Sequence, residues 1–183
     1  MKIKRVACVG SGLIGSGWAV VFASRGLEVH LHDISEARLR RALSTIREKL
    51  SFLARNRLIS GNVERIMGRV SASTDLREAV EDADYVQESV PEDYGVKRRA
   101  FAEISKSAPR DAIIASSTSA LLISEIQRAA KGPDRCLTAH PWNPVYLIPL
   151  VELVPGGLTS RAAIEAARDF MEDLGKVRVV LRR

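Results

Sequence analysis

The sequence contains few of the residues that characterise disulfide-bonded, metal-binding or membrane-spanning proteins. Its 183 residues include two cysteines and three histidines, and aromatic residues make up only 5%. Cys8 and Cys136 fall in predicted central strands. We therefore expect them to be small residues of the core rather than partners in a disulfide or ligands of a metal. No apolar run approaches the length of a bilayer-spanning helix, and the first predicted strand begins too early to leave room for a signal peptide. We therefore expect no metal, no membrane partner and a reducing, cytoplasmic setting.

The positive charge of the chain is concentrated in one predicted helical segment. The net charge is +6, and much of the excess lies between residues 38 and 69, where arginine dominates. A solvated helix face is the simplest interpretation, and a patch for an anionic substrate such as a CoA nucleotide is the second. Nucleic-acid binding is disfavoured because aromatic residues are not usefully interleaved and no binding motif is present. The charge by itself identifies no partner.

A glycine-rich turn between an apolar strand and a helix is the most informative feature of the chain. Residues 6–9 are predicted to form a buried strand, and Gly10, Gly12 and Gly15 follow it in the pattern G-x-G-x-x-G, with Leu13 and Ile14 inside the motif. The first glycine allows a tight turn, the second lets a pyrophosphate approach the backbone, and the third lets helix and strand pack closely. Free N–H groups at the start of the helix favour phosphate binding. The turn therefore predicts a dinucleotide site.

An acidic residue closes the second predicted strand, as such a site requires. Asp33 follows residues 27–32, and it is expected to accept hydrogen bonds from both hydroxyls of the adenosine ribose and to repel a 2′-phosphate. The predicted cofactor is therefore NAD rather than NADP. Two alternatives stay open, because FAD shares the glycine pattern and because the glycines of an α/β protein can serve packing alone.

Predicted strands and helices alternate along the chain, which is typical of a doubly wound, mostly parallel sheet with helices on both faces. We expect one domain over residues 1–183. A helical excursion over about residues 35–67, interrupted near residues 58–61, is longer than a crossover needs and is expected to project as a helix–turn–helix. The remaining strands are predicted at residues 70–73, 85–90, 112–116, 135–140, 150–154 and 177–181, and the remaining helices at residues 76–80, 94–107, 122–130 and 160–174.

Polar residues cluster in the second half of the chain, where predicted strands end. Ser119 follows the fifth strand, His140 ends the sixth, and Asn143 comes shortly afterwards. Ligands of open α/β sheets bind beyond the carboxyl ends of the strands, so these residues are expected beside the cofactor. Glu152 lies on the next strand, twelve positions after His140. Its carboxylate could bond one imidazole nitrogen and fix the tautomer of the ring.

A His–Glu pair beside a nicotinamide suits the oxidation of a secondary alcohol. As hydride leaves the carbon, the hydroxyl proton must pass to a base, and His140 is the candidate general acid/base. Glu152 would orient it, while Ser119 and Asn143 would hydrogen-bond the substrate oxygen or the histidine. Three of these residues also have a structural interpretation. His140 precedes a proline and could be structural, Glu152 could simply pair with a nearby donor, and Ser119 could cap a helix. Their position relative to the glycine turn favours the catalytic interpretation.

Together these motifs resemble the 3-hydroxyacyl-CoA dehydrogenase family over the whole chain. The resemblance rests on the glycine turn, Asp33, the segment SSTS at residues 116–119, the pattern H-x-x-N-P at residues 140–144, Glu152, and the segment QESVPE at residues 87–92. It implies a Rossmann-type NAD-binding domain and oxidation of the 3-hydroxyl of an L-3-hydroxyacyl-CoA, as in fatty acid metabolism. The resemblance also implies that the cofactor is contacted by Val90, Glu92, Lys97, Ser117, Ser119 and Asn143.

A closer resemblance is to the branch of this family that acts on small hydroxy acids without CoA. That branch includes L-gulonate 3-dehydrogenase (lambda-crystallin) and L-carnitine dehydrogenase. The CoA enzymes usually have asparagine at the position of Ser117 and two aromatics in place of Pro141 and Trp142, which disfavours a thioester substrate. The arginine-rich excursion, however, corresponds to the arm that contacts CoA in other members. An acyl-CoA and a small hydroxy acid therefore both stay open as substrates.

Members of the family continue into a helical domain that closes the substrate cleft, forms the homodimer interface and supplies a catalytic asparagine. This sequence stops before such a domain, so we expect the NAD-binding half of an enzyme of this kind. An NAD(H)-binding module without turnover is the alternative function. A structural protein that has kept only the fold is a third, and the intact His140, Ser119, Asn143 and Glu152 argue against it.

Overall fold

Strands of the chain form one sheet in the computed structural model, which describes residues 3–181. They are β1 (Arg5–Val9), β2 (Glu28–His32), β3 (Val70–Ser73), β4 (Tyr85–Glu88), β5 (Ile113–Ser116), β6 (Cys136–Pro141), β7 (Leu150–Pro155) and β8 (Val177–Val180). Their order across the sheet is β3-β2-β1-β4-β5-β6-β7-β8. Neighbouring strands are parallel, apart from the antiparallel pair of β6 and β7. This confirms the predicted Rossmann-type α/β fold. Residues 1, 2, 182 and 183 of the predicted domain lie outside the described residues.

Helices connect most of the strands. They are α1 (Leu13–Ser24), α2 (Glu36–Arg55), α3 (Val63–Met67), α4 (Leu76–Val80), α5 (Tyr94–Ser107), α6 (Ile123–Gln127) and α7 (Arg161–Asp173). Most of these helices begin at a polar residue whose side chain accepts a hydrogen bond from a backbone N–H of the first turn, which satisfies donors that the helix itself leaves free. These N-cap residues are Ser35, Asn62, Asp75, Asp93 and Ser160.

The two faces of the sheet carry separate apolar cores, because successive side chains of a strand point to opposite faces. Val6 and Cys8 of β1 belong to the core on one face, and Ala7 and Val9 belong to the core on the other. The first core contains residues of α1, α2 and α7, and the second contains residues of α4, α5 and α6. Helices therefore cover both faces, as the alternating pattern predicts.

The helical excursion consists of α2, a connection over residues 56–62, and α3, within the predicted limits. It lies against the rest of the domain, because one face of α2 joins the core beside α1. Of the 20 residues of α2, the buried ones are Leu39, Ala42, Ile46, Leu50 and Leu53. Their spacing is that of one helix face. Within residues 3–181, no helix is both long enough and apolar enough to cross a bilayer.

Two element boundaries differ from the sequence predictions by more than a residue. β4 ends at Glu88 rather than at residue 90, because the N–H of Val90 donates to the side chain of Glu88 (2.6 Å). α6 ends at Gln127 rather than at residue 130, because Ala129 and Ala130 each donate to the carbonyl three residues earlier, which tightens the chain into turns. The other limits agree closely with the prediction.

We expect Ile46→Ala to lower the free energy of unfolding by about 2–5 kcal/mol, because Ile46 is fully buried on α2 and its loss leaves a cavity. Urea denaturation followed by circular dichroism measures the change. Glu48→Ala, on the exposed side of the same helix, serves as the control and should change stability by less than about 0.5 kcal/mol. Equal effects of the two substitutions would show that α2 does not pack on the domain.

Candidate active site

The turn after β1 has no room for side chains at two of its three glycines. Gly10 has φ +98°, and a Cβ there would lie 2.6 Å from the carbonyl oxygen of Ser89. A Cβ at Gly15 would lie 1.8 Å from the carbonyl oxygen of Gly10. A Cβ at Gly12, by contrast, would meet nothing within 4 Å. Gly10 and Gly15 are therefore required by packing, whereas Gly12 faces open space.

That open space is a cavity of about 910 Å³. It is bounded by the glycine turn, the end of β2, one side of α2, and residues 89–91 after β4. Gly12 is also the N-cap of α1, where no side chain caps the helix and no acidic residue occupies the first turn. The free N–H groups and the positive end of the helix dipole therefore face an anion-sized opening. A dinucleotide diphosphate fits this arrangement.

Asp33 is held in a fixed orientation at the end of β2. Ser11 donates to Asp33 Oδ2 from its backbone N–H (3.1 Å) and from its hydroxyl (2.8 Å), and the N–H of Ser35 donates to Oδ1 (3.3 Å). The guanidinium of Arg38 lies 3.8 Å from Oδ1. The carboxylate lines the cavity and fits the ribose hydroxyls of NAD. Ser11 could not be identified from the sequence pattern, because the x positions of the glycine motif carry no residue preference.

His140 and Glu152 are directly opposite each other on the antiparallel strands β6 and β7. His140 Nδ1 lies 2.8 Å from Glu152 Oε2. The two side chains are 23% and 31% exposed, so the pair is accessible from solvent. A carboxylate on Nδ1 favours the tautomer with its proton on that nitrogen, which leaves Nε2 as an acceptor. The pair lies at the carboxyl end of β6, the edge of the sheet at which the glycine turn also lies.

Ser117 connects the two parts of the site. Its hydroxyl is 2.9 Å from that of Ser89 and accepts a hydrogen bond from Gln87 Nε2 (2.8 Å). Ser89 lines the cavity at the glycine turn, and Gln87 also donates to the carbonyl of Ala139, next to His140 (3.3 Å). A chain of hydrogen bonds therefore runs from the cavity to the backbone of Ala139, the residue before His140. Gln87 connects the ends of β5 and β6, which its place inside a buried strand did not indicate.

Buried charges support the segment after β4. Lys97, only 1% exposed, lies 2.8 Å from Glu88 Oε1 and 3.3 Å from Glu92 Oε2. Glu88 is fully buried and also accepts from Ser116 Oγ (2.6 Å). Burial raises the pKa of Glu88, and the ammonium of Lys97 opposes that shift. Glu88 is the central acceptor of this network, a role that its position in a short buried strand does not indicate.

Glu92 holds the loop that carries Ser119. It accepts hydrogen bonds from Thr118 Oγ1 (2.6 Å) and from the backbone N–H groups of Ser119 (3.0 Å) and Ala120 (3.1 Å). Partial burial acts to raise the pKa of Glu92, but these hydrogen bonds and Lys97 outweigh it, so the pKa is lowered. Glu92 is therefore suited to remain ionised and to keep Ser119 in place.

The structure places the predicted cofactor residues in three groups. The cavity is lined by Gly10, Gly12, Leu13, Asp33 and Val90. A second group does not line the cavity but adjoins lining residues in the sequence or is hydrogen-bonded to them: Ile14, Gly15, Glu92, Lys97 and Ser117. Ser119 and Asn143 are exposed and, like His140 and Glu152, are not among the residues that line the cavity. Contact of these four with a bound ligand stays a prediction.

Comparison with known protein families gives a match over most of the chain. The family model described as the NAD-binding domain of 3-hydroxyacyl-CoA dehydrogenase matches residues 5–183. The crystal structure of 3-hydroxybutyryl-CoA dehydrogenase from Escherichia coli superposes with a TM-score of 0.93 at 31% identity, covering 98% of this chain and 38% of that chain. The fold and the cofactor class of the domain, NAD, agree with the glycine turn and Asp33.

Two curated relatives have similar levels of identity. The lambda-crystallin homolog of Bos taurus is 42% identical over 180 residues, which cover 97% of this chain and 56% of that protein. An L-carnitine dehydrogenase from a Pseudomonas species is 42% identical over 173 residues, which cover 94% of this chain and 53% of that protein. The chain thus spans about half the length of these relatives.

We expect Gly12→Ala to weaken NADH binding at least about tenfold, or about 1.4 kcal/mol, because the new methyl group would occupy the space that a diphosphate needs. Fluorescence titration with NADH measures this, and the free energy of unfolding should change by only about 1 kcal/mol. Gly15→Ala should instead destabilise the fold by about 3 kcal/mol or more through its overlap with Gly10. Unchanged NADH binding by Gly12→Ala would show that the diphosphate binds elsewhere.

We expect Lys97→Met to lower the free energy of unfolding by about 3–5 kcal/mol, because it leaves Glu88 buried without its counter-charge. Arg98→Met is the matched control. Arg98 is the next residue and also pairs with a glutamate, Glu125, but its side chain is 44% exposed, so the loss should stay below about 1 kcal/mol. Urea denaturation of both variants compares them, and equal losses would contradict the structural role of the buried pair.

Proposed function

Because this chain belongs to the 3-hydroxyacyl-CoA dehydrogenase family, as its motifs predicted, we propose that its site interconverts a 3-hydroxyl and a 3-keto group. The substrate is an L-3-hydroxy acid or its CoA thioester. The observation that carries this proposal is the His140–Glu152 pair, held at 2.8 Å at the same edge of the sheet as the glycine turn. Oxidation of an alcohol requires an acceptor for the hydroxyl proton and a bound dinucleotide for the hydride, and both sites lie at this edge of the sheet.

NAD would be held by the glycine turn and Asp33, and it would supply the acceptor for the hydride of the carbinol carbon. His140 Nε2 accepts the proton of the substrate hydroxyl, since Nδ1 is engaged by Glu152. The carboxylate of Glu152 then stabilises the imidazolium that forms. In the reverse direction, the same nitrogen donates its proton to the ketone oxygen. Ser119 and Asn143 hydrogen-bond the substrate oxygen and keep it oriented toward His140.

The named activity of one relative favours a substrate without CoA. The Pseudomonas relative is an L-carnitine dehydrogenase, and carnitine is a small 3-hydroxy acid with a free carboxylate. The crystal structure from Escherichia coli belongs to an enzyme named for a CoA thioester, but its identity to this chain is lower, at 31%. A free hydroxy acid is therefore the first choice, and an acyl-CoA is the second.

A second candidate function is an NAD(H)-binding module without turnover. It is favoured by one observation, that the cavity at the glycine turn is not lined by the proposed catalytic residues His140, Glu152, Ser119 and Asn143. NADH titration combined with an oxidation assay separates the candidates. The substrates to compare are L-carnitine, L-gulonate, 3-hydroxybutyrate and 3-hydroxybutyryl-CoA. Turnover supports the enzyme, binding without turnover supports the module, and no NADH binding contradicts both.

We expect His140→Ala to lower kcat by about 10²–10⁴-fold and to leave NADH binding unchanged, because the imidazole acts on the substrate proton. Glu152→Gln should cause a smaller loss, about 10–100-fold, since the amide oxygen can still accept from Nδ1 but carries no charge. Steady-state kinetics at 340 nm measure both. If kcat were unchanged in His140→Ala, the assignment of the general base would be wrong.

A further inference from the structure

Lys49 on α2 extends its side chain to the wall of the cofactor cavity. Its Nζ donates to the hydroxyl of Ser16 on α1 (3.0 Å) and lies 5.3 Å from the centroid of the Tyr146 ring. Lys49 and Ser16 both line the cavity. A hydroxyl and an aromatic face thus hold the ammonium in one place while leaving part of it open to a ligand.

Within residues 3–181, Lys49 forms no ion pair with a carboxylate. Three other cations of α2 do have such partners: Arg38 is next to Asp33, Arg40 is bonded to Glu36, and Arg47 is bonded to Glu64. The two remaining cations of α2, Arg41 and Arg55, are also unpaired among the described residues, but they are exposed to solvent. Burial is what lowers the pKa of Lys49. A half-buried ammonium without a counter-charge is costly unless a ligand neutralises it.

The charges around the cavity also favour an anionic ligand. Besides Lys49, the cavity is lined by Arg38, Arg41 and Arg99, and the acidic residue on its wall is Asp33. Asp33 is already bonded to Ser11 and lies near Arg38. An anion that enters this space therefore meets an excess of positive charge.

Lys49 contacts both α1, the helix that follows the glycine turn, and the segment that follows His140 in the chain. Ser16, its hydrogen-bond partner, is in the first half of α1, and Tyr146 comes shortly after His140 and Asn143. This segment packs tightly on α1, because a Cβ at Gly17 would lie only 3.0 Å from Val145 Cβ. A ligand that reaches Lys49 can therefore contact both the turn and the segment.

We propose that Lys49 binds the carboxylate of a small 3-hydroxy acid and so selects a free acid as the substrate. This rests on the proposed function, which places the hydroxyl of the same molecule at His140. A 3-hydroxy acid carries its carboxylate two carbons from the carbinol carbon, so one ammonium can orient the whole molecule. A CoA thioester has no charge at this position and gains nothing from the lysine there.

The cofactor diphosphate is the other anion that could meet Lys49. The N–H groups at the start of α1, beside Gly12, already provide donors for a diphosphate. Lys49 contacts α1 at Ser16, farther along the helix, and also contacts Tyr146, which lies six residues after His140 in the chain. The substrate carboxylate is therefore the favoured ligand, and the experiment separates the two sources.

The test follows the ammonium itself by NMR, in the whole chain labelled with ¹³C at lysine Cε. Lys49→Met identifies the Lys49 signal, and its pKa is measured in the free protein, with NADH, and with NADH plus 3-hydroxybutyrate. That pair of ligands cannot react, and both are stable at alkaline pH. 3-Hydroxybutyramide, which has the same shape without the charge, is the ligand control.

Lys176 provides an internal control in the same spectra. Burial lowers its pKa to about 8, but its Nζ donates to the backbone carbonyls of Val145 and Ile148, and it does not line the cofactor cavity. We expect 3-hydroxybutyrate to raise the pKa of Lys49 by about 1, 3-hydroxybutyramide to have no such effect, and Lys176 to keep its pKa throughout.

Three results would overturn the proposal. In the first, NADH alone raises the pKa of Lys49 and 3-hydroxybutyrate raises it no further. In the second, 3-hydroxybutyramide raises the pKa of Lys49 as much as 3-hydroxybutyrate does. In the third, neither NADH nor 3-hydroxybutyrate changes the pKa of Lys49. The first result would show that the ammonium of Lys49 binds the cofactor diphosphate. In each of these cases normal NADH binding would leave the proposed function standing, whereas loss of NADH binding would contradict the proposed function itself.

A matched pair of variants measures the contribution to affinity. Lys49→Met should raise the dissociation constant of 3-hydroxybutyrate in the presence of NADH about tenfold and leave that of NADH unchanged. Arg47→Met removes the same charge two residues away, where the side chain is exposed and bonded to Glu64, and should change neither constant. Equal effects of both variants would indicate general attraction by the helix rather than binding at Lys49.

Discussion

The parallel pairing of β1, β4, β5 and β6 is the constraint on which the site depends. It brings the carboxyl ends of these strands to one edge of the sheet, so that residues far apart in the sequence become neighbours. The glycine turn follows β1, the serine loop follows β5, and His140 lies near the end of β6. The tight contact between Gly10 and Ser89 then fixes how closely the first turn approaches the end of β4.

The change of direction between β6 and β7 brings His140 and Glu152 together. In a sheet, residues directly opposite each other on neighbouring strands have their side chains on the same face. His140 and Glu152 are such a pair, and their contact therefore follows from the strand register rather than from a flexible loop. Behind them, the hydrogen bonds of Gln87 and the buried charges of Glu88 and Lys97 keep the ends of β4 and β5 in place.

Several parts of this arrangement could be predicted because they depend on local patterns. The glycine spacing indicated the turn, and the position of Asp33 at the end of a strand indicated its place at the cavity. The roles of Ser11 and Glu88 could not be predicted. Ser11 occupies a variable position of the motif, and Glu88 resembles any residue of a short buried strand until Lys97, on α5, is seen to reach it.

By itself, the sequence determined the class of the fold, the dinucleotide turn and the spacing between His140 and Glu152. These features depend on local residue patterns, which decide the backbone conformation and the alternation of strands and helices. Only the tertiary structure decided which charges are paired. Arg47 and Lys49 are two residues apart on the same helix, yet the first is bonded to Glu64 and the second projects toward the cavity beside Ser16. That difference arises because neighbouring helix residues point in different directions and meet segments distant in the sequence.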